Sequence, residues 1–402
     1  MADYDRFDKP GAALCGTTER DESTVPVRCE PPLSPRPFIR NLLVASALGL
    51  GCGCDSSLTP RPPTSRFAHA REARDEAIER RLAEAGARVR HAPILPGGVR
   101  GVLIEFKRLE IARETLADAA RLPGIVALGL NDCRVRPSDL EVLNGMEGLQ
   151  NLAVSGATAT DETLSAVKSL PRLRGLTVYG PHLSAKGLAF VANSPGLETL
   201  TLDGSGVGDD EVALLADLNS LRNLDLSATR ITDKALRTMR RLPLLRILDL
   251  RGCCISDDGL ASLAPLAKLE VLILTDTAVG DAGLPHLATL KSLNTLDLSG
   301  TQITDEGLAY LAALPSLEYL ELARTKISDD GLAHLSGLWK LNELSVRDTA
   351  VSDAGLVHLA RLPVLGAVRA NGTRVTKAGR KTLPRLFLEF DGSHDRHNRP
   401  LD

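Results

Sequence analysis

The sequence lacks the short motifs that carry catalytic chemistry. It contains no glycine-rich phosphate-binding loop, no G-x-S-x-G nucleophile motif and no H-E-x-x-H metal motif. These absences argue against phosphate-loop nucleotidases, serine hydrolases and zinc proteases. Twelve residues follow Phe390, too few for an appended catalytic domain. We therefore expect a protein that is not an enzyme, with no catalytic residue and no cofactor.

A dominant charge and aromatic residues are also missing. The net charge is −3 at pH 7 and aromatic residues make up 3% of the chain, which gives no broad electrostatic basis for nucleic-acid binding. The seven cysteines show neither zinc-finger nor C-x-x-C spacing. His394, Asp395 and His397 are ligand types, but they stand without a scaffold of further ligands. We predict no metal site and no nucleic-acid partner.

What the sequence has instead is a unit of 24 residues. The stretch from Leu293 to Ser316 gives the template L-x-x-L-x-L-x-x-T-x-[IV]-[TS]-D-x-G-L-x-x-L-x-x-L-P-x. Leucine-rich repeats have units of roughly 20–29 residues with this spacing. The first leucine position recurs at Ile125, Leu149, Leu173, Leu197, Leu221, Leu245, Leu269, Leu293, Leu317, Leu341 and Leu365.

Within one unit the hydrophobic period changes from that of a strand to that of a helix. Leu296 and Leu298 alternate with polar residues, as in a half-buried strand. Leu308, Leu311 and Leu314 recur every three residues, as on the buried stripe of a short helix. One unit cannot bury its own apolar face, so units must stack. The predicted fold class is an α/β leucine-rich repeat solenoid, a horseshoe with a parallel sheet on its concave face and helices on its convex face.

Two positions near the start of each predicted helix are informative. Thr304 or Asp305 suits the helix N-cap, and an aspartate there also suits the positive end of the helix dipole. A glycine two residues after that aspartate indicates close backbone approach between coils. These glycines are Gly187, Gly259, Gly283, Gly307, Gly331, Gly355 and Gly379.

The units resemble the 24-residue repeats of bacterial, planctomycete-type leucine-rich repeat proteins and of the ribonuclease-inhibitor-like repeat superfamily. They are also similar to eukaryotic F-box leucine-rich proteins, in which a cysteine often fills the position of Thr301. Cys133 and Cys253 occupy that position here. The resemblance covers residues 101–390 and implies a solenoid that binds other proteins. We find no F-box-like helical segment ahead of the repeats.

The chain divides by composition. Nine of the 23 prolines lie before residue 66, where the leucine period is absent. After them, residues 67–85 read as an amphipathic helix that is followed by strand, turn and strand. The predicted domains are a disordered tail (1–37), a signal-like segment (38–54), a linker (55–66), a helix/strand cap with a degenerate repeat (67–124), the repeats (125–390) and a polar tail (391–402).

Residues 38–54 have two interpretations. A basic flank at Arg36 and Arg40, a short apolar run and Cys52 resemble a bacterial lipoprotein signal, with Cys52 as the lipidation site. The run is shorter than the about 20 residues of a membrane span. Gly49, three residues before the cysteine, departs from the lipoprotein pattern and favours an apolar leader of a cytosolic protein. The first interpretation predicts membrane attachment in the cell envelope or secretion, and the second predicts the cytoplasm.

The predicted groove carries residues that stand out from the template. Acidic residues recur at one outward strand position, in a column that could bind a basic partner, with others in the adjoining columns. Tyrosine and arginine, the usual hot-spot residues of interfaces, break the repeat pattern at four positions. The candidate partner-binding residues are Tyr179, Asp203, Asp225, Asp249, Arg251, Asp297, Tyr319, Glu321, Glu343 and Arg347.

The expected function is a noncatalytic protein–protein interaction scaffold. It is a monomer that binds an unidentified protein partner through the concave face. His286, His334 and His358 form a convex column that we interpret as duplicated surface residues. One alternative is an adaptor that presents clients to a separate enzyme through the cap over residues 67–100, as F-box leucine-rich proteins do. Another is an enzyme with a site in the acidic column.

Overall fold

The computed structural model describes residues 66–94, 100–167, 169–181, 183–383 and 387–390. Several predicted segments lie outside the described residues. They are the tail (1–37), the signal-like segment (38–54) with Cys52, the linker up to residue 65 and the polar tail (391–402).

Strands of the described residues form one sheet of 14 strands that follow each other in chain order. They are β1 (Arg88–Ile94), β2 (Arg100–Lys107), β3 (Ile125–Asn131), β4 (Asn151–Ser155), β5 (Gly175–Tyr179), β6 (Thr199–Thr201), β7 (Asn223–Asp225), β8 (Ile247–Asp249), β9 (Val271–Ile273), β10 (Thr295–Asp297), β11 (Tyr319–Glu321), β12 (Glu343–Ser345), β13 (Ala367–Arg369) and β14 (Phe387–Glu389). The pair β1–β2 is antiparallel, and each later pair is parallel.

The register of the sheet follows the 24-residue period. Leu296 pairs with Leu272 on one side and with Leu320 on the other. Leu296 and Leu298 are fully buried, so both point into the core as the alternation predicts. The open parallel sheet with helices on its other side confirms the predicted α/β solenoid.

Short helices return the chain between parallel strands. The α-helices are α1 (Arg66–Glu84), α2 (Arg113–Arg121), α3 (Asp161–Ala166), α4 (Ala185–Ala192), α5 (Asp209–Val212), α6 (Asp233–Met239), α7 (Asp257–Leu260), α8 (Asp305–Leu308), α9 (Asp329–His334), α10 (Leu356–Leu359) and α11 (Lys377–Arg380). The 3₁₀ helices are Pro137–Gly145, Gly156–Thr158, Ala213–Leu215, Ala261–Leu263, Asp281–Thr289, Ala309–Ala313 and Leu335–Gly337. Most are a turn or two long, so packing of their leucines rather than helix propensity stabilises them.

An aspartate at or near the start of eight helices bonds to the next coil. Asp281 accepts hydrogen bonds from the backbone N–H of Thr304 (2.9 Å) and from its hydroxyl (2.6 Å). Thr304 is the N-cap of α8, so this carboxylate stabilises the beginning of the following helix. We call this set the carboxylate ladder. Its members are Asp161, Asp209, Asp233, Asp257, Asp281, Asp305, Asp329 and Asp353.

The ladder explains the repeated glycines. A Cβ built on Gly283 would lie 2.6 Å from Oδ1 of Asp257, and each of the seven glycines faces the ladder aspartate 26 residues before it. The predicted close approach is therefore present, and the approaching group is a carboxylate rather than backbone. Where the preceding coil has Ala185 in place of the aspartate, Glu211 fills the glycine position. Its own carboxylate accepts the N–H of Gly208 at 3.0 Å, which replaces the missing bond.

Both ends of the solenoid depart from the repeat. Helix α1 covers the first coil with Ile78 and Leu82, which are buried. The antiparallel pair β1–β2 then begins the sheet, and the predicted turn between these strands lies outside the described residues. At the other end, β14 pairs with β13 at an offset of 20 residues, since Phe387 lies beside Ala367. This last strand therefore closes the stack out of register with the repeat.

The threonine position of the template is structural. Thr301 is buried and donates to the carbonyl of Leu298 at 2.5 Å, which closes the turn after the strand. Cys133 and Cys253 occupy the same position as buried free thiols. Burial raises the pKa of the Cys253 thiol to about 12, which removes its nucleophilic form at neutral pH. Cys253 is a free thiol, so it forms no disulfide with the adjacent Cys254.

Candidate partner-binding surface

Three columns of side chains cross the face of the sheet opposite the leucine core. They run through the positions of Thr295 (first column), Asp297 (middle column) and Ser299 (last column). The parallel register aligns each position with its equivalents in the neighbouring strands. The structure therefore brings the predicted residues onto one face. Tyr319 and Glu343 lie in the first column, Asp225, Asp249, Asp297 and Glu321 in the middle one, and Tyr179, Asp203, Arg251 and Arg347 in the last one.

The aspartates of the middle column are buried rather than open to the groove. Asp225, Asp249 and Asp297 keep 7%, 1% and 9% of their surface exposed. Each accepts a hydrogen bond from the backbone N–H two residues later, as Asp297 does from Ser299 at 2.9 Å. The carboxylate folds back onto its own strand, which corrects the expectation that these three project outward. Alternation along the strand predicts the correct face for these side chains, but it does not predict this local bond to the backbone.

Asp225 and Asp249 are neighbours across β7 and β8. Burial raises the pKa of Asp225 to about 6, although the hydrogen bonds that Ser227 donates to this carboxylate lower it. Burial, and next the charge of Asp225, raises the pKa of Asp249 to about 8. The opposing pull of Arg251, whose Nη2 lies 2.8 Å from Oδ2 of Asp249, is weaker than these two effects. The pair therefore holds a proton at neutral pH.

The geometry around Ser227 agrees with a bound proton. Its Oγ lies 2.6 Å from Oδ1 of Asp225 and 3.0 Å from Oδ1 of Asp203. A hydroxyl carries a single proton, so it can donate to only one of these oxygens. The second contact needs a proton on a carboxyl group. Asp203, Asp225 and Asp249 thus form an acidic cluster on the sheet face.

The C-terminal strands carry an ion-pair network on the same face. Arg369 lies 2.7 Å from Glu343, 3.5 Å from Glu321 and 3.9 Å from Glu389. Arg347 pairs with Glu389 at 2.7 Å. These groups are partly exposed and hold one another in place, so they present a preformed charged surface.

Arg369, Glu389 and Phe387 are surface residues that sequence reasoning missed. Arg369 takes the place of an acidic residue in the middle column, which is the same kind of departure that singled out Arg347. Phe387 is 54% exposed and lies in the first column. The irregular offset of β14 hid both Phe387 and Glu389 from the 24-residue template.

Tyrosine stands at two separate places on this face. Tyr179, at the end of β5, is 39% exposed. The strands around it carry small residues, among them Gly129, Ala153 and Gly175, so few large side chains lie beside its ring on this face. Tyr319 lies six strands further along, beside Glu321 of the same strand, and is partly buried.

The described residues contain no group of three or more His, Cys, Asp or Glu side chains placed to hold a metal ion. None of the helices in the described part of the chain is both long enough and apolar enough to span a membrane.

Comparison with known proteins supports the fold. Models described as leucine rich repeat match residues 195–255, 289–312 and 313–336. A crystal structure of an internalin (InlF) from Listeria monocytogenes is similar, with 19% identity, 80% of this chain and 95% of that chain covered, and a TM-score of 0.57. Internalin C2 (InlC2) of the same organism gives 28% identity over 52% of this chain and 84% of that one, with a TM-score of 0.40. The comparison with curated proteins finds no match.

The repeat register, the open sheet and the family matches agree. The chain has the fold of a leucine-rich repeat solenoid, and leucine-rich repeat models match three of its segments.

Proposed function

We propose that this protein is a noncatalytic scaffold that binds a protein partner through the concave face of its sheet. The observation that carries the proposal is the combination of Tyr179 and the preformed network of Arg347 and Arg369 on one rigid face. Side chains on strands meet a ligand already ordered, which lowers the entropic cost of binding. Tyr and Arg are the residue types that dominate binding energy at interfaces.

The buried aspartates have a different role in this proposal. Asp225, Asp249 and Asp297 shape the surface, while the contacts fall on Tyr179, Asp203 and Arg251 in the central strands. In the C-terminal strands they fall on Tyr319, Glu321, Glu343 and Arg347. We also propose that the protein is a monomer and that it is a bacterial leucine-rich repeat protein of the planctomycete type.

Site-specific photocrosslinking tests the proposal. A photoreactive phenylalanine analogue replaces Tyr179 or Tyr319 on the sheet face, and His286 or His334 on the convex helices as matched controls. All four side chains are at least partly exposed, so each variant should fold. In cells, we expect positions 179 and 319 to crosslink to the same partner, which gives adducts of equal mass. We expect no adduct from positions 286 and 334. Adducts that form only from the histidine positions would place the partner on the convex face.

A further inference from the structure

Helix α6 carries a cluster of cations on the convex side of the solenoid. Lys234, Arg237, Arg240 and Arg241 are all exposed. Arg240 is the C-cap residue and keeps helical backbone angles, so the four side chains continue one helical surface. Residues three and four apart lie next to each other on a helix, so these groups form a continuous ridge. We call it the α6 ridge.

The two outer cations of the ridge are paired and the two inner ones are not. Nζ of Lys234 lies 2.8 Å from Asp210, and Nη2 of Arg241 lies 3.0 Å from Asp217. Arg237 and Arg240 make no side-chain hydrogen bond or ion pair within the residues that the structure describes. The middle of the ridge therefore carries two uncompensated positive charges.

Arg237 and Arg240 replace small residues of the repeat. In the flanking coils, Ala213 and Ala261 occupy the position of Arg237, and Ala216 and Ala264 occupy that of Arg240. Their small side chains leave the two guanidinium groups accessible from both sides. The neighbouring coil also exposes 39% of Leu214, which adds an apolar contact beside the charges.

We infer that the α6 ridge is a second docking surface, which binds an acidic segment of a protein partner. Side chains three residues apart on a helix are separated by about 5–6 Å. Carboxylates at alternate residues of an extended segment lie about 7 Å apart, so each can meet one arginine. Arginine binds carboxylates through two parallel hydrogen bonds, which gives such a contact direction as well as charge. An aliphatic residue of the segment contacts Leu214.

The surroundings of the ridge favour a narrow ligand. The side chains of Asp210 and Asp217 are each 86% exposed at its border. A wide anionic surface such as a membrane would meet these carboxylates together with the arginines and be repelled. A single nucleic-acid strand stacks its bases on aromatic side chains, and the ridge has none. A single acidic segment can lie on the two arginines and avoid both aspartates.

Fluorescence anisotropy with the full-length chain and fluorescein-labelled decaglutamate tests the inference at low ionic strength. The R237A/R240A variant carries the residue of the flanking coils, so its melting temperature should match that of the wild type. R222A/R246A is the matched control. It removes two partly exposed arginines of successive coils, which pair with Glu198 and Glu270 at another edge. We expect the Kd to rise at least about tenfold in the ridge variant and to change less than about twofold in the control.

Other results would overturn the inference. If both variants bind the peptide equally weakly, the binding depends on net charge alone and not on the ridge. If the wild type does not bind the peptide, the ridge is not a docking surface for acidic segments. Phosphatidylserine vesicles or oligo-dT that bind through the ridge more tightly than the peptide would assign it to another class of ligand. Oligomers that disappear in the ridge variant on size-exclusion chromatography would show that the ridge joins copies of this chain. The ridge lies on convex α6, so failure of the concave proposal leaves this result unchanged.

Discussion

Replacing Gly307 by alanine tests the fit between neighbouring coils, because two effects act there with opposite signs. Gly307 lies inside α8 and its φ is not positive, so helix propensity alone predicts a gain of up to about 1 kcal/mol. The new Cβ would lie within 3.0 Å of the Asp281 carboxylate. Overpacking of this kind costs about 1–3 kcal/mol. We expect G307A to lower the free energy of unfolding by about 1–2 kcal/mol.

The Asp281 carboxylate cannot move away from the new methyl group without losing hydrogen bonds. The steric cost of G307A should therefore exceed its gain in helix propensity. Asp281 accepts both the N–H and the hydroxyl of Thr304, and hydrogen bonds to charged groups contribute about 1.5–3 kcal/mol. Any shift that relieves the Cβ contact weakens these two bonds. D281A alone should therefore destabilise the protein as well, since the cap of α8 loses its partner.

A double-mutant cycle separates the two effects. In the D281A background the carboxylate is gone, so G307A should stabilise the protein by about 0.5–1 kcal/mol through helix propensity. Urea unfolding followed by circular dichroism gives the global values. Hydrogen exchange of the Thr304 amide reports the local junction. A change of the same sign for G307A in both backgrounds would refute the coupling between Asp281 and Gly307.

Ala235 provides an internal control. It occupies the glycine position after Asp209, which still bonds to Thr232 at 2.8 and 2.7 Å, so this junction already accommodates a methyl group. A235G should therefore cost about 0.5–1 kcal/mol, the usual penalty of glycine in a helix. A gain in stability from A235G would show that the methyl group strains this junction too.

Three further predictions concern the sheet and its turns. L298D should unfold the central coils at a cost of more than about 3 kcal/mol, because it buries an unpaired charge. N294D should melt near the wild type, because Glu270 and Glu318 hold the equivalent positions; similar curves for both variants would contradict the register. Asp225 and Asp249 have folded pKa values above the usual range, so the folded state binds more protons and stability should fall as pH rises from about 4 to about 8. D249N should flatten that slope in melting temperatures measured from pH 5 to 8, and an unchanged slope would argue against the cluster. Ala228 has a φ of 53°, so A228G should raise the urea midpoint by an amount equivalent to about 0.5 kcal/mol, and a lower midpoint would refute this strain.

The fold was predictable from the sequence because its signal is periodic and its register is fixed by burial. The positions of Leu296 and Leu298 alternate with polar residues in most units, and a slip of one residue would expose the whole leucine set. The offset of β14 was less accessible, since its pairing follows from how the last coil closes rather than from the repeat.

The candidate surface was only partly predictable, for physical reasons that particular residues show. Side-chain alternation places Asp249 on the sheet face, but its burial depends on Arg251 and Asp225 in three dimensions. Arg369 lies in a strand without leucines, where the template gives no reference for a departure. Arg237 lies on a convex helix, where the repeat template predicts only duplicated surface residues.

The carboxylate ladder determines which coils can be neighbours, because each junction needs an aspartate in one coil and a small residue in the next. Deleting residues 257–280 would join two coils that both carry aspartate and glycine, so the seam would reproduce a native junction. Deleting residues 185–208 would instead place Asp161 against Glu211, two carboxylates in a space that holds one. Units in the C-terminal half of this chain can therefore replace one another, whereas the units next to Ala185 must keep their order. A protein built this way can change its length by whole periods at one end without redesigning the other.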